Sequence, residues 1–141
     1  MEPKRREAAA AIIFAEDGRL VLQQRDVVLG ILHPGKVGLF GGHREGNESF
    51  IDCIVREIHE ELGYYLPAHQ FEPLVTRSGD DPDVPGGFVH GEIFVARNVP
   101  VQRLLVTEGT LLVIEPAALS TIRENLVPSA LFAFEQLGLR T

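Results

Sequence analysis

The chain has 141 residues, of which 45% are hydrophobic and 23% are charged. These proportions are ordinary for a globular protein, and the length suits one domain over residues 1–141. The formal net charge of −7 argues against nucleic-acid binding, because nucleic-acid phosphates are held by clustered lysine and arginine. The basic run at residues 4–6 is flanked by acids and is predicted to be a solvated tail.

A single cysteine, Cys53, excludes an intramolecular disulfide and favours a reducing, cytoplasmic location. The apolar run at residues 8–14 resembles a signal peptide only faintly, because Glu7 interrupts the basic start. Glu16 and Asp17 follow the run at once, and the run is too short to span a bilayer. It is therefore predicted to be a first strand, and no membrane partner is expected.

The N-terminal part of the chain is predicted to be β-structure. Apolar residues 8–15 and 19–24 flank an Asp-Gly turn and predict a β-hairpin. Residues 26–36 contain glycine and proline and are predicted to form a loop. A short strand over 37–40 would then deliver the chain into the glycine pair at 41–42.

After residue 49 the apolar residues follow a helical period. Residues at i, i+3, i+4, i+7 and i+11 form one apolar stripe: Ile51, Ile54, Val55, Ile58 and Leu62. Ser49 followed by Asp52 resembles a capping box, and Gly63 suits the position just after a helix. The sequence therefore predicts an amphipathic helix between these caps.

Three acidic side chains share one side of this predicted helix. At 3.6 residues per turn, Glu57, Glu60 and Glu61 lie within roughly 100° of one another, away from the apolar stripe. Exposed acids at such spacing repel one another by about 0.2–0.5 kcal/mol per i,i+4 pair. Their presence indicates a positive partner, and a hard divalent cation, which takes oxygen ligands, is the candidate. Arg56 borders the same arc.

The rest of the chain alternates β-like and turn-like segments. Predicted strands cover residues 70–77, 87–99, 104–106 and 110–114. The polar loop at 79–86 needs no function as a solvated connection, although substrate-selecting residues often lie on such loops. A short helix is predicted to start near Pro116 and a last helix to cover about 128–137. Without a regular βαβ rhythm, we expect an α+β fold with a mixed sheet between helices.

Residues 42–64 carry a distinctive spacing, which reads G-x5-E-x7-R-E-I-x-E-E-x-G-Y. This closely resembles the Nudix box, G-x5-E-x7-R-E-U-x-E-E-x-G-U, in which U is aliphatic. All the fixed letters match, and a chance match in so short a chain is on the order of one in a million at about 7% usage per letter. Tyr64 fills the final aliphatic position, and Phe40 stands where many members have proline, but neither departure affects a carboxylate.

The resemblance implies a Nudix hydrolase with an α/β/α sandwich fold. It implies cleavage of a phosphoanhydride in a nucleoside diphosphate linked to another group, with Mg²⁺ or Mn²⁺ as cofactor. The implied metal ligands are Glu57, Glu60, Glu61 and the backbone carbonyl of Gly41. By the same analogy, Arg56 and Glu48 orient these carboxylates through ion pairs.

Elementary chemistry points the same way as the resemblance. A chain with a net charge of −7 repels a pyrophosphate, and anionic oxygens shield the phosphorus atoms. Divalent ions neutralise that charge and can lower the pKa of a bound water. A loop turning on the two glycines at 41–42 would let backbone groups approach a phosphate without a Cβ in the way.

The general base has several candidates. Glu57 lies in the box, but the family often supplies another acid from a loop after the later strands. Glu108 is the first choice for that acid and Glu92 the second. Glu108 could equally be a turn residue before Gly109, and Glu92 an outward-facing strand residue.

Substrate contacts are predicted at basic side chains near the glycine segment and the strand ends. His43 lies in the glycine segment, and Arg44 beside it could meet a phosphate or pair with nearby glutamates. Arg25 and Arg77, at ends of predicted strands, are candidate phosphate or base contacts. Cys53 has no paired base and is interpreted as structural.

Other functions within and outside the enzyme class are also considered. One alternative is a MutT-like hydrolase of oxidised or non-standard nucleoside triphosphates. A non-catalytic nucleotide-binding module would be expected to lack one or more box acids, and all are present here. A messenger-RNA decapping role is disfavoured by the lack of a basic surface. The expected partner is a small nucleotide, and a homodimer stays open because the apolar region 104–114 could be interface or core.

Overall fold

The computed structural model describes residues 5–28 and 30–141. The strands are β1 Arg5–Ala15, β2 Leu20–Gln24, β3 Val37–Gly38, β4 Phe40–His43, β5 Phe71–Asp80, β6 Phe88–Val99 and β7 Thr110–Ile114. The α-helices are α1 Phe50–Leu62 and α2 Pro128–Gln136. Short 3-10 helices cover Ala68–Gln70, Val101–Arg103 and Pro116–Asn125.

Strand β1 is central to a mixed sheet with the order β3-β2-β1-β6-β5. One edge of β1 is shared, because residues 8–11 pair antiparallel with β4 and residues 13–14 pair antiparallel with β2. The other edge pairs in parallel with β6, and β7 extends the sheet beside β2. After β2 the chain therefore loops out of the sheet, returns as β3 beside β2, and continues as β4 along the same edge of β1.

Each face of the sheet packs against helices. Alternate β1 residues such as Ala11 and Ile13 belong to a core with Ile54 and Ile58 of α1. The intervening residues, such as Ile12, join a second core with α2 and the Pro116–Asn125 helix. This arrangement confirms the expected α+β class, with a mixed sheet between helices in an α/β/α sandwich.

Helix α1 begins and ends where the local sequence predicts. The Ser49 side chain accepts a hydrogen bond from the Asp52 N–H at 3.2 Å, which satisfies a free donor of the first turn. Gly63 adopts the left-handed conformation, with φ of 60°, and its N–H bonds to the His59 carbonyl. The predicted hairpin is also present, as are the strands now bounded as β5, β6 and β7.

The β-like segment at 104–106 is not a strand, so that prediction was wrong. The Leu105 N–H donates to the Leu62 carbonyl at 2.8 Å, and the Thr107 N–H donates to the Glu61 carbonyl at 3.1 Å. These bonds use carbonyl groups left free at the C-terminal end of α1. The segment therefore packs along α1, and the apolar side chains beside Leu105 contribute to the core.

The basic residues near the N-terminus are not a solvated tail. Arg5 and Arg6 lie in β1, whereas Lys4 falls outside the described residues. Arg6 donates to the Asp81 carboxylate at 2.6 and 2.8 Å and approaches Asp83 at 3.4 Å. Both aspartates are only 6% exposed, so the 79–86 segment is not merely a solvated connection either. The contacts of Arg6 with Asp81 and Asp83, which are distant in the chain, explain why neither segment is simply exposed to solvent.

None of the helices in the described part of the chain is long and apolar enough to cross a membrane.

Close packing of β1 against β6 gives a first testable prediction. Gly91 pairs with Ala8, and a Cβ at Gly91 would overlap the Ala8 backbone carbonyl. We expect Gly91→Ala to lower the free energy of unfolding by about 2–3 kcal/mol, as overpacking does, measured by urea denaturation. Ser78→Ala, at an exposed position in β5, is the control and should stay within about 0.5 kcal/mol. Equal urea midpoints for Gly91→Ala and Ser78→Ala would contradict the close approach of β6 to β1 at Gly91.

Candidate active site

Helix α1 brings the glutamates of the box to the edge of the sheet at β4. The Glu57 side chain is 16% exposed, and its carboxylate lies so close to Gly42 that a Cβ there would overlap it. The Glu60 side chain is 58% exposed and faces outward. Glu61 lies one helical turn after Glu57. It is half-buried and accepts a hydrogen bond from the Gly41 N–H at 3.0 Å.

Arg56 is the cation at the centre of these carboxylates. Its Nε and Nη2 atoms donate to the two Glu48 oxygens at 2.8 and 2.9 Å. Its Nη1 atom donates to Glu57 at 2.8 Å and to Glu60 at 3.2 Å. The Arg56 hydrogen bonds lower the pKa of the Glu48 carboxyl to about 2. Arg56 thus keeps Glu48 ionised and holds Glu48, Glu57 and Glu60 in place.

The surroundings of Glu61, in contrast to those of Glu48, disfavour the charged form of the carboxyl. Burial raises its pKa to about 8, and repulsion from Glu57, Glu108 and Glu60 acts in the same direction. The hydrogen bond from the Gly41 N–H acts against that rise. A carboxylate buried among like charges is costly to ionise unless a cation joins it.

The donor set fits a hard divalent cation. Carboxylate oxygens from one helix are the ligand type that Mg²⁺ and Mn²⁺ accept, and Glu61 has no arginine partner among the described residues. Within residues 5–28 and 30–141, no three His, Cys, Asp or Glu side chains are grouped closely enough to hold a metal ion. The hydrogen bonds of Glu57 and Glu60 to Arg56 account for that arrangement.

The glycine pair does not form the turn expected from the sequence. Gly41 and Gly42 lie inside β4 and pair with Ala10 and Ala9 of β1. A Cβ at Gly41 would overlap the Ala9 carbonyl, and a Cβ at Gly42 would overlap the Glu57 carboxylate. Glycine is therefore required at both positions, because β1 lies close to the backbone of Gly41 and the Glu57 carboxylate lies close to the backbone of Gly42.

A cavity of about 390 Å³ lies next to this carboxylate cluster. Candidates from distant parts of the sequence line it: Arg25, His43, Glu61, Arg77, Glu92 and Glu108. Arg44 is not among them, because it donates to Glu7 at 2.7 Å and lies over the Phe50 ring at 5.1 Å. The structure thus brings together the acidic candidates of α1, β6 and the 104–109 segment.

Glu108 is held near Glu61 by its backbone. The Gln23 side-chain N–H donates to the Glu108 carbonyl at 3.1 Å, and the Gly109 N–H donates to the Asp26 carboxylate at 3.3 Å. This anchoring explains why the Glu108 charge contributes to the raised pKa of Glu61. Glu92 reaches the same cavity from β6, opposite Ala9 in the sheet.

Some cavity residues were missed by sequence reasoning. Gln23 is 7% exposed, and Asp83 accepts hydrogen bonds from the Ser129 N–H and hydroxyl at 2.9 and 2.6 Å. A polar Gln23 within an apolar strand was a usable signal. The Asp83–Ser129 contact joins residues far apart in the chain, so no local pattern in the sequence indicated it. Cys53 is buried, and burial raises the pKa of its thiol to about 11, in keeping with a structural role.

The comparison with protein families identifies the class of this chain. Residues 4–99 match the family model described as the NUDIX domain, which covers more than half of the chain. The chain belongs to the NUDIX family. A search of curated protein sequences found no match.

Solved structures share this fold. The MutT protein from Methanosarcina mazei Go1 is 20% identical, with a TM-score of 0.78 over 98% of this chain and 96% of that one. The NUDIX domain of Shewanella oneidensis NrtR, complexed with ADP ribose, is 19% identical, with a TM-score of 0.76 over 95% and 86%.

A longer Francisella tularensis protein also contains the fold. This bifunctional NMN adenylyltransferase/ADP ribose pyrophosphatase, complexed with AMP and a Mn ion, is 17% identical with a TM-score of 0.71. The match covers 97% of this chain and 40% of that one.

The raised pKa of Glu61 predicts how stability varies with pH without metal. Between about pH 4.5 and 8 the folded protein holds a proton that the unfolded chain has lost. The free energy of unfolding should therefore fall as pH rises through that window, and Glu61→Gln should remove this fall. Thermal melting in a chelating buffer checks it. Parallel pH profiles for wild type and variant would show that Glu61 does not carry the effect.

Proposed function

We propose that the protein is a Mg²⁺-dependent hydrolase of a phosphoanhydride bond in a nucleoside diphosphate linked to another group. The observation that carries this proposal is the position of Glu61. It is half-buried beside Gly41, close to like charges, and open to a cavity of about 390 Å³. Such a carboxylate is suited to share a cation with an anionic ligand in that cavity.

The proposed metal site consists of Glu57, Glu60 and Glu61, with the carbonyl of Gly41. The chemistry supplied by Mg²⁺, or Mn²⁺ in its place, is neutralisation of the diphosphate charge and activation of a water. Arg56 and Glu48 are positioning residues, because their hydrogen bonds hold the carboxylates of α1 in fixed orientations. His43 and Arg25, which line the cavity, are proposed to contact the phosphates.

Glu108 is proposed to be the general base that receives the proton of the attacking water. Its carbonyl accepts a hydrogen bond from Gln23, its charge acts on Glu61, and it lines the cavity together with Gly41. Glu92 lines the same cavity and is the second candidate. Glu57 is less suited to this role, because Arg56 and Gly42 already enclose its carboxylate.

Nucleotides linked to a second group are the proposed substrates. The NrtR domain of this fold is complexed with ADP ribose, and the Francisella protein includes an ADP ribose pyrophosphatase complexed with AMP. The alternative substrate is a nucleoside triphosphate, as proposed for a MutT-like hydrolase. ADP ribose and nucleoside triphosphates share a diphosphate next to a nucleoside, and AMP is the nucleoside monophosphate that cleavage of such a diphosphate would release.

The first activity prediction concerns the metal site. Glu61→Gln should lower turnover about 100-fold or more, since even partners of metal ligands contribute 10–100-fold. Turnover is measured as nucleoside monophosphate release from nucleoside triphosphates, nucleotide sugars and dinucleoside polyphosphates in Mg²⁺. Mg²⁺ should also raise the melting temperature of the wild type but not of the variant.

Glu72→Gln is the matched control for this experiment. It removes the same charge at an exposed position of β5 and should leave both turnover and the Mg²⁺ response unchanged. Near-normal turnover in Glu61→Gln would contradict the metal assignment. Ligand-dependent melting shifts without any hydrolysis would instead favour a nucleotide-binding module.

The second activity prediction separates the two candidate bases. Glu108→Gln should lower kcat by about 10²–10⁴-fold with little change in the Mg²⁺ concentration needed for half-maximal rate, because a base acts on the reacting water. Glu92→Gln should change kcat far less. A larger loss in Glu92→Gln than in Glu108→Gln would transfer the role to Glu92.

A further inference from the structure

Arg77 lines the cavity but has no role in the reaction proposed at the carboxylates of α1. In the sheet it pairs with Gly91, and two residues earlier Val75 pairs with Ile93 on the same face as α2. The Arg77 guanidinium lies over the Phe132 ring of α2, with Cζ 4.1 Å from the ring centroid. Its position is therefore set by an aromatic surface and not by a carboxylate.

The Arg77 guanidinium has donors that nothing in the described chain satisfies. Its Nη2 atom donates to the Asp80 carbonyl at 3.3 Å. Its Nε and Nη1 atoms are buried and have no hydrogen-bond acceptor among residues 5–28 and 30–141. Buried donors of a charged group are costly to leave unpaired, so they point to an acceptor that arrives with a ligand.

The acids of the 81–87 loop already have hydrogen-bond partners other than Arg77. Asp81 accepts two hydrogen bonds from Arg6 and one from the Asp83 N–H. Asp83 accepts from Arg6 and from both the N–H and the hydroxyl of Ser129. These carboxylates line or border the cavity without pairing with Arg77, which stays available to a ligand.

The surface beside Arg77 suits a flat ring better than a phosphate. Small and apolar residues contribute to the lining of the same cavity, among them Gly91, which pairs with Arg77, and Ala8, which pairs with Gly91: Ala8, Ala10, Leu39, Gly91, Ile93 and Val127. An apolar surface gains from burying the face of a ring, whereas a phosphate placed there would lose its water. The substrate part that fits is therefore a nucleobase with an oxygen acceptor on its edge.

We propose that Arg77 reads a keto oxygen on the nucleobase of the substrate, so that keto-bearing bases bind in preference to adenine. This inference rests on the proposed function, in that the base belongs to the nucleotide cleaved beside Glu61. A keto oxygen accepts a hydrogen bond from a guanidinium, whereas an exocyclic amino group presents donors to donors. Arginine is the usual partner of the guanine keto edge for this reason.

The test compares inosine and adenosine 5′-monophosphates, which differ at position 6 in a keto or an amino group. Calorimetric titration without metal measures binding independently of hydrolysis. The wild type should bind the inosine nucleotide about tenfold more tightly than the adenosine nucleotide. In Arg77→Gln the affinity ratio should fall to within about twofold. Arg77→Lys should also lose the ratio, because lysine lacks the planar, stacked donors.

Arg97→Gln is the matched control, and melting temperatures verify that every variant folds. The Arg97 guanidinium also lies over a ring, 4.6 Å from the Phe14 centroid, but it is exposed and does not line the cavity. Its variant should keep the wild-type ratio. Equal wild-type affinities, no binding of either nucleotide, or a ratio that survives in Arg77→Gln would overturn the inference. The inference would also be overturned if Arg77→Gln no longer bound either nucleotide and Arg77→Lys bound both again, since that result would identify a phosphate contact.

Hydrolysis of the corresponding triphosphates in Mg²⁺ separates this inference from the proposed function. An Arg77-dependent preference in binding without any hydrolysis would support the inference and contradict the hydrolase. Hydrolysis of both triphosphates with equal kcat/KM and equal affinities would support the hydrolase and overturn the role of Arg77.

Discussion

Repulsion among carboxylates is the constraint on which this end of the molecule depends. Helix α1 presents Glu57, Glu60 and Glu61 within little more than one turn, and Glu48 lies beside them. Arg56 compensates Glu48, Glu57 and Glu60 through hydrogen bonds of 2.8–3.2 Å. Among residues 5–28 and 30–141, Glu61 is left with only the Gly41 N–H as a partner, and this incomplete compensation is what suits the site to a cation.

The rest of the fold supplies rigid surroundings for that charge. The apolar side of α1 packs on the sheet through Ile54 and Ile58, which fixes the direction of the acidic side. The sharing of one β1 edge between β2 and β4 places Gly41 directly against Glu61. The 104–109 segment lies along the end of α1, and so brings Glu108 to the same cavity.

The far wall of the cavity is built from a different kind of interaction. The contacts of Arg6 with Asp81 and Asp83, and of Asp83 with Ser129, connect β1, the 81–87 loop and the start of α2. These contacts occupy the charged groups of Arg6, Asp81 and Asp83 with one another, and Arg77 is a separate donor in the same cavity. The cavity thus combines an acidic end beside α1 with an apolar end beside α2.

The sequence by itself determined the features that depend on short spacing. The apolar stripe and caps of α1, the neighbouring box acids and the β1–β2 hairpin are local patterns, in which residues a few positions apart meet through the helix or strand period. Arg56 could be placed among the carboxylates for the same reason. The mixed sheet between helices followed from the order of these elements.

The tertiary structure alone decided how distant segments meet. It put Gly41 and Gly42 inside a strand, because β4 lies against β1 and Glu57 fills the space of a side chain. It paired Arg6 with Asp81, 75 residues away, and so turned an apparent tail into part of the sheet. Contacts of that kind depend on strand register and on which edge of β1 each strand occupies, and no local periodicity encodes either.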